Sequence, residues 1–330
     1  KDGMFLMNGR AAAAGGTGAP RPSRQISIVL RPAEPAATPA EQPSSEVAKG
    51  LEPGSPFAEI QRELDAMVGM EKVKALIYEI YALLHVSGLR AAAGLSVGSQ
   101  VYHMIFRGNP GTGKTTIARI VAKLFQKMGV LQKGHLIEVE RADLVGEYIG
   151  HTAQKTRDLV RKALGGVLFV DEAYSLARGG EKDFGKEAID TLVKAMEDYK
   201  NQFVLILAGY PDEIDMFLLS NPGLPSRFPI RIDFPDYTVD QLVKIAELMA
   251  KERDYEMQPQ AVAKLRQHLA EQKRDSLFAF SNARYVRNAI ERAIRHQAVR
   301  LLNLYGSGQP GRQELMTIRP EDFRWDAEEA

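Results

Sequence analysis

Two spacings of apolar residues alternate along the middle of this chain. Short runs rich in apolar residues occur at 101–106 (VYHMIF), 135–140 (HLIEVE), 167–170 (VLFV), 203–208 (FVLILA) and 229–234 (PIRIDF). Between them apolar residues recur every three or four positions, as in Ile117, Ile120, Val121, Leu124 and Phe125. A short continuous run marks a strand buried on both faces, and the longer spacing marks a helix with one face turned inward. Helices are therefore predicted over 115–128 and near 153–164 and 186–200. Strict alternation of the two predicts an α/β domain, with a parallel sheet and helices on both of its faces.

The pattern changes at both ends. Residues 1–54 are rich in proline, alanine and glycine and poor in large apolar residues, so they bury too little surface to offset the entropy of ordering. A flexible tail is expected there, although ISIVL at 26–30 is suited to pairing as an edge strand in a partner or assembly. Order is expected from Ser55 and Pro56, a cap followed by proline at the first helical position, with Phe57, Ile60, Leu64 and Met67 on one face. A second helix should follow Gly69, carrying Val73, Leu76, Ile77, Ile80 and Leu84. After Pro235 the strands are expected to stop. Thr238 and Gln241 form a capping box, Pro259 opens another helix, and a third starts at Ser281. The predicted organisation is a tail to 54, an α/β domain over 55–235, a small helical domain over 236–305 and its extension over 306–330. No internal repeat is visible.

Composition narrows the function classes. A net charge of +1 gives no general case for nucleic acid or membrane as partner. The chain has no cysteine, which excludes disulfides, thiolate metal sites and a cysteine nucleophile. His85, His103, His135, His151, His268 and His296 lack the paired spacing of a metal site. No apolar run is long enough to span a bilayer, and no basic start with an apolar core suggests export, so a cytoplasmic location is expected.

The chemistry is concentrated in two strings. GNPGTGKT at 108–115 fits the phosphate-binding pattern GxxxxGK[ST] and lies between a predicted strand and a predicted helix. Gly108, Gly111 and Gly113 permit backbone conformations closed to other residues. Together with Asn109, Pro110, Thr112 and Thr116, they turn successive N–H groups toward phosphate oxygens at a helix N-terminus. Lys114 supplies a charge for the β and γ phosphates of ATP, and Thr115 offers a hydroxyl to Mg²⁺. The second string is GGVLFVDEA, where Asp171 and Glu172 follow a buried strand at its carboxyl end, the place where doubly wound sheets bind ligands. A carboxylate pair there could instead cap a helix. With a phosphate loop upstream, Asp171 is read as a Mg²⁺ ligand and Glu172 as the base that polarises the attacking water.

Beyond these strings, ADLVGEYIGHTAQKT, LILAGYPDE, NPGLPSRFPIRIDFPDY and FSNARYVRN complete a set, over residues 56–305, that resembles the AAA+ ATPases grouped with the red-type Rubisco activase. The resemblance implies a homo-oligomer, usually a hexamer, in which ATP hydrolysis remodels a client protein, here in spore formation. It implies that Arg227 in SRF is an arginine finger reaching a neighbouring subunit's nucleotide, and that Arg284 in SNAR is the sensor-2 arginine of the helical lid. Arg231 and Arg287 are the next candidates for these roles. Val68 and Gly69 match the segment near adenine. Tyr148, Ile149 and Gly150 match the aromatic, hydrophobic, glycine loop that lines a central pore, and 178–185 (RGGEKDFG) would form a second, polar pore loop. One departure stands out: where most relatives place Asn or Thr to orient the attacking water, this chain offers Tyr210. A nucleic-acid motor on the same fold would need a basic pore, whereas the loop carries Glu147 beside Tyr148, so nucleic acid is the less favoured partner. An ATP-timed assembly scaffold is the remaining alternative. The client itself is not written in the chain.

Overall fold

The computed structural model describes residues 56–98, 100–148, 150–178, 184–221, 223–276 and 280–325. The tail with ISIVL, the Ser55 cap, Ile149 and most of RGGEKDFG lie outside them. The described residues open with helix α1 (Pro56–Asp65) and helix α2 (Glu71–Ala92), with Met70 at φ 62° before α2. Strand β1 (Met104–Gly108) leads to α3 (Lys114–Lys127), then β2 (Leu136–Val139), α4 (Arg141–Leu144), α5 (His151–Ala163), β3 (Val167–Val170), α6 (Gly185–Tyr199), β4 (Val204–Gly209), α7 (Pro211–Ser220) and β5 (Ile230–Phe234).

The five strands form one parallel sheet in the order β2-β3-β4-β1-β5. Because side chains alternate across a strand, consecutive residues enter different cores. Met104 and Phe106 of β1, with Phe169 and Ile206, pack on the face covered by α1, α2 and α3. Ile105, Leu168, Leu205 and Leu207 pack on the opposite face with residues of α5, α6 and α7. Central β3 and β4 are buried throughout, whereas edge strand β5 alternates, which is why its run contains Arg231 and Asp233.

Every predicted strand is present, with one shift. The run at 101–106 starts pairing only at Met104, because the imidazole of buried His103 takes the place of a backbone partner: its Nδ1 accepts the Leu205 N–H at 2.9 Å. Helices α4 and α7 were not anticipated. In α7, Pro211 at the first turn followed by Asp212 and Glu213 is the signal that was available.

The remainder is helical, as expected, built from α8 (Val239–Lys251), α9 (Pro259–Asp275) and α10 (Asn282–Tyr305). Thr238 and Gln241 close the capping box in both directions. The expectation that strands end at Pro235 is corrected: β6 (Glu256–Met257) pairs in parallel with β7 (Thr317–Ile318), after the short α11 (Arg312–Met316). Two-residue strands are too short to leave a periodic signature. The C-terminal segment is fixed on α9 and α10 by packing and charge. Trp325 stacks on His268 at 3.6 Å, and buried Arg300 holds the buried carboxylate of Asp322 at 2.8 Å.

Candidate nucleotide site

The loop between β1 and α3 folds as its residue types dictate. Gly111 and Gly113 adopt φ of 69° and 93°, the left-handed region, and Gly113 leads directly into the first turn of α3. A Cβ at Gly111 would strike Ser281 O and lie 2.7 Å from Arg284 N, so the loop backbone touches the start of α10. The Lys114 ammonium donates to Gly108 O and Asn109 O, both at 2.8 Å. Burial pushes the pKa of this ammonium down. The nearby carboxylates Asp171, Glu172 and Asp236 push it up, and Arg284 pushes it down. A half-buried cation near carboxylates, beside a glycine loop at a helix N-terminus, suits a polyanion that carries a cation.

Asp171 and Glu172 follow β3 as predicted. The Asp171 N–H bonds to Val139 O at 2.9 Å, and its Oδ1 accepts the Glu172 N–H at 3.0 Å. Glu172 sits at φ 46°, a conformation that costs a non-glycine residue on the order of 1 kcal/mol and that clusters at functional sites. It lines the cleft beside the phosphate loop.

That cleft has a volume of about 540 Å³ and brings most of the predicted residues together. Gly108, Pro110, Gly111, Gly113, Lys114, Thr115 and Thr116 form one wall, with Asp171, Glu172 and Tyr210 beside them. Arg284 and Arg287 enter from α10, so both candidates for the sensor-2 role reach the site. The apolar end is made by Met67, Val68, Ile245 and Met249. Gly69 does not line it and instead packs against the Gln241 side chain. Asn109 and Thr112 act from behind the wall: Asn109 Nδ2 bonds Asp236 at 2.9 Å, and the Thr112 hydroxyl donates to Asn109 O at 2.8 Å. Tyr210 follows β4 with its ring 5.8 Å from Tyr174, a second phenol lining the cleft, whose pKa burial drives well above its ordinary value. Tyr237 also lines the cleft, and burial pushes its phenol up to about 12.

Glu138 and the cleft-lining Tyr174 and Tyr237 are among the residues that escaped the sequence reading. Thr115 Oγ1 donates to Glu138 Oε1 at 3.2 Å, and Arg119 approaches the same carboxylate. Glu138 lies within the run HLIEVE, and the fold, with β2 paired to β3, brings it beside the Thr115 hydroxyl. Tyr174, in the short 3-10 helix Ala173–Ala177 after Glu172, had no sequence signal.

Other predicted residues lie outside the cleft. Arg227 forms an ion pair with Glu197 and is partly exposed, while Arg231 is exposed on β5. Tyr148 is 66% exposed, with its ring edge-on to His151 at 5.5 Å, and Gly150 at φ 80° precedes α5. Among the described residues no helix is long and apolar enough to cross a membrane.

Comparison with known proteins adds a consistent set of relatives. A family profile described as "ATPase family associated with various cellular activities (AAA)" matches residues 104–236, and an AAA lid domain profile matches 238–330. The chain is 62% identical over 266 residues to stage V sporulation protein K of Bacillus subtilis (strain 168), covering 80% of this chain and 82% of that protein. It is 46% identical over 271 residues to the chloroplastic ribulose bisphosphate carboxylase/oxygenase activase of Cyanidioschyzon merolae, covering 80% and 90%. Among solved structures, a mutant of Thermotoga maritima RuvB aligns with a TM-score of 0.49 at 23% identity, over 77% of this chain and 70% of that one.

Proposed function

The chain belongs to the AAA family of ATPases, binding and hydrolysing ATP, and from that premise we propose that it works as a ring of identical copies that remodels a client protein. The support for shared catalysis is the position of Arg227. It carries the arginine-finger motif yet stands outside its own cleft, paired with Glu197, where a neighbouring copy could receive it. The ring is proposed to be a hexamer.

Within the cleft each residue has a distinct task. Lys114 and the loop N–H groups hold the phosphates in place, and Arg284 senses the γ phosphate from the same chain. The Glu172 carboxylate takes a proton from the attacking water, with Tyr210 as a hydrogen-bonding group that helps orient that water. The Thr115 hydroxyl and Asp171 carboxylate would hold Mg²⁺, which when bound neutralises charge on the β and γ phosphates. The donors fit such an ion, being oxygens only. Two protein oxygens would fill only part of the shell that such a hard cation takes, the remainder being phosphate and water oxygens. Val68 and Met67 pack beside the adenine.

The proposed client is a polypeptide gripped by Tyr148, with Ile149 and Gly150, in a central pore. An exposed aromatic next to Glu147 suits side chains of varied sequence better than a phosphate backbone. The relative named for stage V of sporulation supports spore formation as the setting, and the compartment is proposed to be the cytoplasm. The test is ATP hydrolysis with and without candidate client polypeptides. Tyr148→Ala should keep its basal rate but lose stimulation. Undiminished stimulation would reject threading in favour of an assembly scaffold. Stimulation by DNA or RNA alone would reassign the protein to nucleic acid.

A further inference from the structure

Asp236 and Asn282 form a hydrogen-bonded cluster directly behind the phosphate loop, and neither lines the cleft. Asn282, the first residue of α10, is fully buried at φ 48°. Its amide is used on every side. Nδ2 donates to Asp236 Oδ1 at 2.7 Å and to Phe280 O at 2.8 Å, with Pro110 O of the phosphate loop at 3.4 Å, and Oδ1 accepts the Tyr237 N–H at 3.0 Å. The same Asp236 carboxylate holds Asn109 Nδ2 of the loop at 2.9 and 3.1 Å. One residue further on, the Ala283 N–H donates to Gly111 O at 3.2 Å. Arg284 follows next on the helix and enters the cleft.

We infer that Asp236 and Asn282 are positioning residues that latch the phosphate loop to the first turn of α10, and so aim Arg284 at the γ phosphate. Each element is held from both ends. Asp236, in the link between β5 and α8, grips one asparagine from the loop and one from the helix, so a shift in either is transmitted to the other. A buried asparagine strained into left-handed backbone persists only where its surroundings over-determine it. Here those surroundings are the loop and the link, and the helix beyond is a rigid 24-residue lever. Side chains that merely filled space would not need four polar partners in a fully buried position.

This inference rests on the γ-phosphate role proposed for Arg284, and a double-mutant cycle separates the two. ATP hydrolysis at saturating nucleotide is measured for wild type, Asn282→Ala, Arg284→Ala and the double variant. The latch predicts that each single variant lowers kcat about tenfold or more, and that the double is within about twofold of the slower single, because both remove one function. Full multiplication of the two effects would overturn the latch while leaving the Arg284 reading in place. An Arg284→Ala variant as fast as wild type would overturn that reading and the latch with it. Asn282→Gly keeps the backbone relaxed and removes only the amide, so it should be as slow as Asn282→Ala, and recovery of wild-type kcat by glycine would overturn the latch. Asp236→Ala removes the carboxylate that accepts from both asparagines. It should lower kcat in the same direction, with its thermal melt showing a folded protein.

Discussion

Replacing Gly111 with alanine would test how closely the phosphate loop and the helical domain are joined. Two costs are readable from the geometry. The φ of 69° carries a left-handed penalty of about 1–2 kcal/mol for any residue with a Cβ. The added methyl would then collide with Ser281 O and approach Arg284 N at 2.7 Å. Both are backbone atoms, and neither moves as a side-chain tip would. Relieving such overpacking costs a further ~1–3 kcal/mol, giving an expected loss of about 2–5 kcal/mol. Gly129→Ala is the internal control: its φ of 75° is similar, but a Cβ there meets nothing within 4 Å, so it should lose only the ~1–2 kcal/mol backbone penalty. Urea unfolding, followed by fluorescence of Trp325, the single tryptophan, reads both. Gly111→Ala should also hydrolyse ATP more slowly, because relief of the collision displaces loop N–H groups or Arg284. Equal destabilisation of the two variants, or wild-type hydrolysis in Gly111→Ala, would refute the proposed contact.

Two further outcomes follow from the same geometry. Burial holds the His103 pKa down at about 4, from an ordinary 6.5, so the unfolded chain binds the proton more readily. Its contribution to stability is complete above about pH 6.5 and is lost as pH falls toward 4, amounting to about 2 kcal/mol between pH 7.5 and 5. Urea midpoints at those two pH values should therefore diverge more in wild type than in His103→Gln, which keeps an acceptor for the Leu205 N–H but does not titrate; equal divergence would contradict the assignment. In the cleft, Lys114→Ala should weaken ATP binding, whereas Glu172→Gln should bind ATP and hydrolyse it ~10²–10⁴-fold more slowly, as read by nucleotide titration beside phosphate release. Loss of binding in both variants alike would argue against separate roles.

The α/β core was legible because burial on both faces forces unbroken apolar runs, and VLFV became β3 without adjustment. The phosphate loop was legible because its glycines, Lys114 and Thr115 are demanded locally by backbone geometry and charge. What the chain hid depends on contacts between distant residues. Glu138 became part of the site only through strand order, and His103 displaced the start of β1 through a single side-chain bond to β4. The β6–β7 pair joins Glu256 and Met257 to Thr317 and Ile318, far along the chain, with two residues each, and no periodicity can report that. Asp236 and Asn282 likewise carry no local pattern, and only the fold brings them together.

The central claim, that one copy completes the site of the next, is tested most directly by mixing two inactive variants. Arg227→Ala should bind ATP without hydrolysing it, and Lys114→Ala should do neither. In mixed rings of equal proportion, about a quarter of the interfaces would pair an intact phosphate loop with an intact Arg227. Phosphate release by the mixture should therefore rise well above either variant alone, toward about a quarter of the wild-type rate. No rise at any ratio, in rings shown by mass to contain both variants, would contradict the account.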